Sequence, residues 1–182
     1  NWSIKSLHRL IMNSKTYRLS AFHPNPGPAE LKDPQNRLHW RGNIRRLNAE
    51  DIRDAALLIS GELDTKLGGP SVSASQPRRS VYTIMKRNKQ DEVLGAFDLP
   101  GGIQSTAKRD VTTTANQALL MLNGKWFLSR AKAMARTVKS ESFKDDRELV
   151  SFLHQKTYGK KPEPAEIDLM LGFLKSQEKR VA

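Results

Sequence analysis

The stretch "RRSVYTIMKRN", Arg78–Asn88, holds a dense run of β-branched and aromatic residues, Val81–Ile84, between basic ends. Such residues fit an extended, half-buried backbone, so the reading is one short extended piece with basic ends. A lone strand cannot make a sheet, and its partner must be another short segment or the side of a helix. The fold class follows: mainly α, an irregular multi-helix bundle with long Pro/Gly-rich connections and at most a small β element.

Working outward, the preceding "GGPSVSASQP", Gly68–Pro77, is turn material. Upstream of it, Asn48 is placed to cap a helix with Glu50 and Asp51 in its first turn and Ile52, Ala55, Ala56, Ile59 and Leu63 on its apolar face. An earlier helix starts at Ser3, and His23–Asn36, with four prolines, reads as an irregular surface strap. Downstream, a short helix runs from Asp91 to Phe97. Thr112 or Thr113 then opens another, with Ala115, Ala118, Leu119 and Leu122 facing inward and Asn123-Gly124 as its stop. The next helix carries Phe127, Ala131, Met134, Ala135 and Val138 at helical spacing, with Lys125, Ser129, Lys132, Arg136 and Lys139 opposite. A final helical pair, Glu148–Tyr158 and Ala165–Gln177, is joined by "GKKPEP". The expected organisation is a helical core over 1–140 and a C-terminal helical hairpin over 141–182.

Lys and Arg number 31 against 19 Asp and Glu in 182 residues, a formal charge of +12. That sign suits anionic polysaccharide, nucleic acid, an acidic membrane surface or an acidic neighbouring domain. The chain has no cysteine, which removes disulfides, thiolate nucleophiles, zinc ribbons and C-x-x-C-H haem attachment from consideration. No apolar run reaches the roughly 20 residues that cross a bilayer. Phosphate-cradle, dinucleotide, zinc-protease and nucleophile-elbow signatures are missing, and the four histidines stand apart. No metal site and no cofactor are expected in this segment.

Three clusters merit a position. In "RRLNAEDIRDA", Arg45–Ala55, the cations Arg45, Arg46 and Arg53 interleave with Glu50 and Asp54. On a continuous helix Glu50 would lie four from Arg46 and three from Arg53, so one acid could serve two cations. The expectation is a structural charge network linking tertiary elements, since exposed pairs contribute only about 0.2–1 kcal/mol each. Asp98 in "FDLPGG", with Arg109 across the loop, is a candidate loop site, weighed against a turn in which Asp98 accepts backbone hydrogen bonds. Lys125, Lys132, Arg136 and Lys139 form a candidate anion-binding face. Its nucleic-acid reading is weakened by the position of the aromatics, Trp126 and Phe127, near one end.

The ordered set "WSIKSLHRLIMNSKTYR", "DPQNRLHWRGNIRRLNAEDIRDAALLISGELD", "GGPSV", "RRSVYTIMKRN", "FDLP" and "TTTANQALLMLNGKWF", with the tail "YGKKPEPAEIDLMLGFL", resembles the planctomycete domain of unknown function found C-terminal to planctomycete cytochrome c modules. The resemblance implies large exported multidomain proteins with haem-bearing modules upstream, an extracytoplasmic location and no established catalytic residues to carry over. It also implies that the domain begins ahead of Trp2. The combined expectation is a non-catalytic helical scaffold or anion-facing module whose partners are upstream domains of the same polypeptide and an acidic polysaccharide or acidic domain. Nucleic-acid binding and a hydrolase-type enzyme completed upstream are the alternatives.

Overall fold

The computed structural model describes residues 2–87 and 89–181. It is mainly helical, with half of its residues in eight helices and neither sheet nor barrel among the described residues. The chain divides into two compact units, 1–46 and 47–182. The C-terminal helical hairpin lies inside the second unit.

The first unit holds α1 (Ile4–Asn13) and α2 (Gly27–Lys32). The Ser3 hydroxyl accepts from the Ser6 amide and sets the start of α1. Ile4, Leu7, Leu10 and Ile11 share one side of that helix and are all exposed. Within the strap expected to be irregular, α2 forms because Pro28 sits in the first turn, where no backbone donor is needed and its φ is already helical. The rest of the unit is ordered by polar contacts. The Asp33 carboxylate accepts from the Arg37 and Leu38 amides at 2.9 and 2.7 Å. Buried Asn36, at φ 54°, donates to the Arg41 carbonyl and to Asn43 Oδ1, both at 2.8 Å. The Gly42 amide donates to the Ser20 carbonyl at 2.8 Å. A Cβ at that glycine would stand 2.6 Å from the Leu19 carbonyl oxygen, so this backbone approach admits no side chain.

The second unit runs through α3 (Ala49–Ile59), α4 (Glu92–Ala96), α5 (Ala115–Asn123), α6 (Lys125–Lys139), α7 (Asp146–Tyr158) and α8 (Pro164–Val181). Ala49, Val93, Leu94, Phe97 and Leu99 make its core, with Ile52, Leu120, Trp126 and Phe127 packed against it. Phe97 and Phe127 meet edge to face at 6.2 Å. α3 packs on α4 and α6, α5 on α6, and α7 on α8. Gly61, at φ 79°, ends α3: its amide donates to the Leu58 carbonyl and the Glu62 amide to that of Leu57, a Schellman stop. Asp91, Thr114 and Asp145 side chains cap α4, α5 and α7, and left-handed Gly159 closes α7.

The stretch 78–87 is not a regular strand. A 3-10 turn, Ser80–Tyr82, interrupts it, and isolated bridges join Asp64 to Arg78, Val72 to Thr83, and Lys86 to Lys89. The turn forms because the Asp54 carboxylate takes both the amide and the hydroxyl of Ser80, at 2.8 and 2.6 Å. Asn88, the last residue of the quoted stretch, lies outside the described residues.

Three helical faces differ from expectation. On α3 the fully buried positions are Ala49, Arg53 and Leu57, a row four residues apart that includes a cation. On α5 the expected inner face is solvent-facing, with Leu119 54% and Leu122 70% exposed, while Gln117 is buried. Gln117 reaches inward to donate to the Ala96 carbonyl at 2.9 Å. On α6 Ala133 is buried and Trp126, Phe127, Arg130, Met134, Thr137 and Val138 are half-buried, whereas Ala131 and Ala135 are exposed.

Candidate functional site

Arg53 is only 1% exposed. Its Nη2 donates to the Ala74 and Gln76 carbonyls at 2.7 and 2.8 Å, and its Nη1 to the Arg78 carbonyl at 2.8 Å and Ser80 Oγ at 3.1 Å. Asp54 lies 3.4 Å from Nη1 and supplies the countercharge. Burial pushes the Arg53 guanidinium below its ordinary range, and the carboxylates of Asp54 and Asp91 oppose that shift.

Arg78 repeats the device one step further out. It donates to the carbonyls of Lys66, Gly68 and Pro70 at 3.0, 2.6 and 3.2 Å, and its guanidinium lies over the Tyr82 ring at 4.1 Å. A Gly/Pro/Ser-rich segment cannot satisfy its carbonyls by regular structure, and a guanidinium offers five donors in a fixed fork. The two arginines therefore act as internal ligands for segment 64–80. They are structural groups facing inward, and Arg78 was hidden in the sequence as the basic end of an extended piece.

The remaining members of the expected charge network go elsewhere. α3 starts at Ala49 after an extended Asn48, so Arg45 and Arg46 precede the helix and the four-residue spacing from Arg46 to Glu50 does not apply. Arg45 is exposed, and Arg46 is half-buried and engaged. Glu50 pairs with Arg109 at 2.7 Å, not with Arg53, because Arg53 lies on the core row of the helix. The Arg109 guanidinium holds the Glu50 carboxyl below the usual carboxylate range, and Glu50 raises Arg109 in return.

Beside that pair lies a cleft of about 560 Å³. Leu94 and Leu99 contribute apolar surface, Asp51 and Asp54 an acidic wall, and Arg79 and Arg109 the cations. Asp51 Oδ2 accepts from the Asn48 amide at 3.2 Å, and Asp54 holds Ser80, so both acids serve the local fold. Asp98, at φ 65°, accepts from the Thr112 amide at 2.8 Å and hydroxyl at 2.7 Å. These bonds tie the two ends of the loop 98–112 together, with Asp98 held to Thr112, fourteen residues on, and Arg109 to Glu50.

The α6 cations have a different setting. Arg130, on the packed side, pairs with Glu62 at 2.6 Å and covers the Trp126 ring at 5.0 Å. Lys125, Lys132, Arg136 and Lys139 are exposed, and none forms an ion pair with a described residue. At 3.6 residues per turn the four share an arc of about 60°, and they extend over about 21 Å of helix.

His154 is buried against α8, its Nδ1 3.1 Å from the Lys160 carbonyl oxygen and its Nε2 3.5 Å from Glu166. Among the described residues no group of three or more acids and histidines could hold a metal ion, and no helix is long and apolar enough to cross a membrane.

These features define a basic, mainly helical domain with an inward-facing arginine network and an outward-facing cation row. The chain belongs to the PSD1 family, described as proteins of unknown function (DUF1553), whose model matches residues 1–174. Neither the curated proteins nor the solved structures contain a match.

Proposed function

We propose that this chain is a non-catalytic helical scaffold with an anion-facing surface, working inside a larger exported protein and binding an acidic polysaccharide or acidic domain through the outer face of α6. The single observation that carries the reading is the row Lys125, Lys132, Arg136 and Lys139, four exposed cations on one arc with no ion-paired acid among the described residues. A row of this length presents successive charges to an extended polyanion, and the release of its counterions drives binding. The resemblance to a domain following cytochrome c modules supports the exported, extracytoplasmic setting and upstream haem-bearing neighbours. This segment is taken to hold no cofactor of its own.

Nucleic acid is the weaker partner. Trp126 and Phe127 pack against the core, with Arg130 over the indole, so no aromatic platform accompanies the cations. A hydrolase-type site on Asp98 and Arg109 is weaker still, because Asp98 is committed to Thr112 and Arg109 to Glu50 of α3. The test is retention on an immobilised sulfated polysaccharide across a sodium chloride gradient. The expected result is elution at markedly lower salt for Lys132→Glu/Arg136→Glu/Lys139→Glu. Equal retention of this variant and the parent chain overturns the reading.

A further inference from the structure

The outer surface of α6 carries more than charge. Positions 126, 127, 130, 133, 134, 137 and 138 turn toward the unit, and the cation row occupies the far side. Between them, on one flank, lie Leu128, Ala131 and Ala135, all exposed, with Leu128 44% accessible. On the helical wheel this strip spans about 60° and borders the cation arc directly. A hydrated, uniformly charged chain gains nothing from Leu128. A partner helix does: its apolar row can rest on Leu128, the two alanines let its backbone come close, and carboxylates on its flank reach the cation row.

We infer that the occupant of this surface is an acidic amphipathic helix of a partner protein, laid along α6 with leucine-type side chains on Leu128, Ala131 and Ala135 and carboxylates on Lys125, Lys132, Arg136 and Lys139. The inference rests on the anion-facing reading and narrows its partner. Charge complementarity defines the occupant of this face, because the cation row borders the apolar strip directly. α5 also exposes Ala115, Ala118, Leu119 and Leu122, yet contains no charged residue to define an occupant.

The experiment titrates the full chain with three probes: a helical peptide of alternating Leu-rich and Glu-rich faces, polyglutamate of equal charge, and a sulfated polysaccharide. The Leu/Glu peptide is expected to bind about tenfold more tightly than polyglutamate. Leu128→Ser and Ala135→Gln, both at exposed positions, are expected to remove most of that advantage and to leave polysaccharide retention within about twofold. Equal binding of peptide and polyglutamate, or indifference of the peptide to both substitutions, overturns the helix inference and leaves the anion-facing reading standing. Failure of all three probes overturns both.

Discussion

Arg53 donates to the carbonyl oxygen of Arg78 at 2.8 Å, and Arg78 in turn holds the carbonyls of Lys66, Gly68 and Pro70. One buried guanidinium thus fixes the backbone from which the second is presented. The segment 64–80, poor in regular hydrogen bonding, folds around these two cations as other loops fold around a bound ion. The surface row on α6 plays the opposite part, since its cations meet no acid within the described chain.

Arg53→Lys keeps the charge and loses the fork. The Ala74 and Gln76 carbonyls, 21 and 23 residues from Arg53, would be left without their donor. The expected loss is about 3 kcal/mol of unfolding free energy, since buried polar partners orphaned by truncation are costly. Urea unfolding measures it, and a loss below about 1 kcal/mol would show that water replaces the guanidinium without penalty.

Gly42→Ala probes the first unit alone. The new Cβ meets backbone on two sides, Leu19 O at 2.6 Å and Ala21 N at 3.3 Å, so no side-chain rotation relieves it. A destabilisation of about 1–3 kcal/mol is expected, read as faster exchange of the amide at position 42, which donates to the Ser20 carbonyl. Parent-like exchange there would count against the close approach.

Acid should weaken both units. The amides of Leu38 and Arg37 hold the Asp33 carboxyl below its ordinary value, Arg109 does so for Glu50, and the Glu163 amide with Lys160 does so for Glu166. Each folded state binds fewer protons than its unfolded counterpart, so the stabilisation is complete above the unfolded values near 4 and drains as pH falls through the folded ones. Denaturant midpoints between pH 6 and 2 should fall, and Glu50→Gln should make the fall shallower. An unchanged slope in that variant would separate Glu50 from the acid response.

Asp98→Ala should free the loop between Leu99 and Thr112. Lys108 and Arg109 lie in that loop, and trypsin is expected to cleave there several times faster than in the parent chain. Unaltered cleavage would mean that the Glu50–Arg109 pair alone restrains it.

The local signals lay in the chain itself. Ser3, Asp91 and Gly159 terminate their helices as side-chain chemistry and glycine φ require, because capping acts within three or four residues. The mainly helical class followed from β-like sequence too short to build a sheet, and the exposure of Lys125, Lys132, Arg136 and Lys139 from helical spacing. Tertiary structure decided which side of α3 and α5 turned inward. Leu119 and Leu122 face solvent while Gln117 and Arg53 are buried, because carbonyls of distant segments stood ready to receive them. The worth of a buried guanidinium depends on acceptors 21 to 27 residues away, and only the folded chain brings them within 3 Å or so.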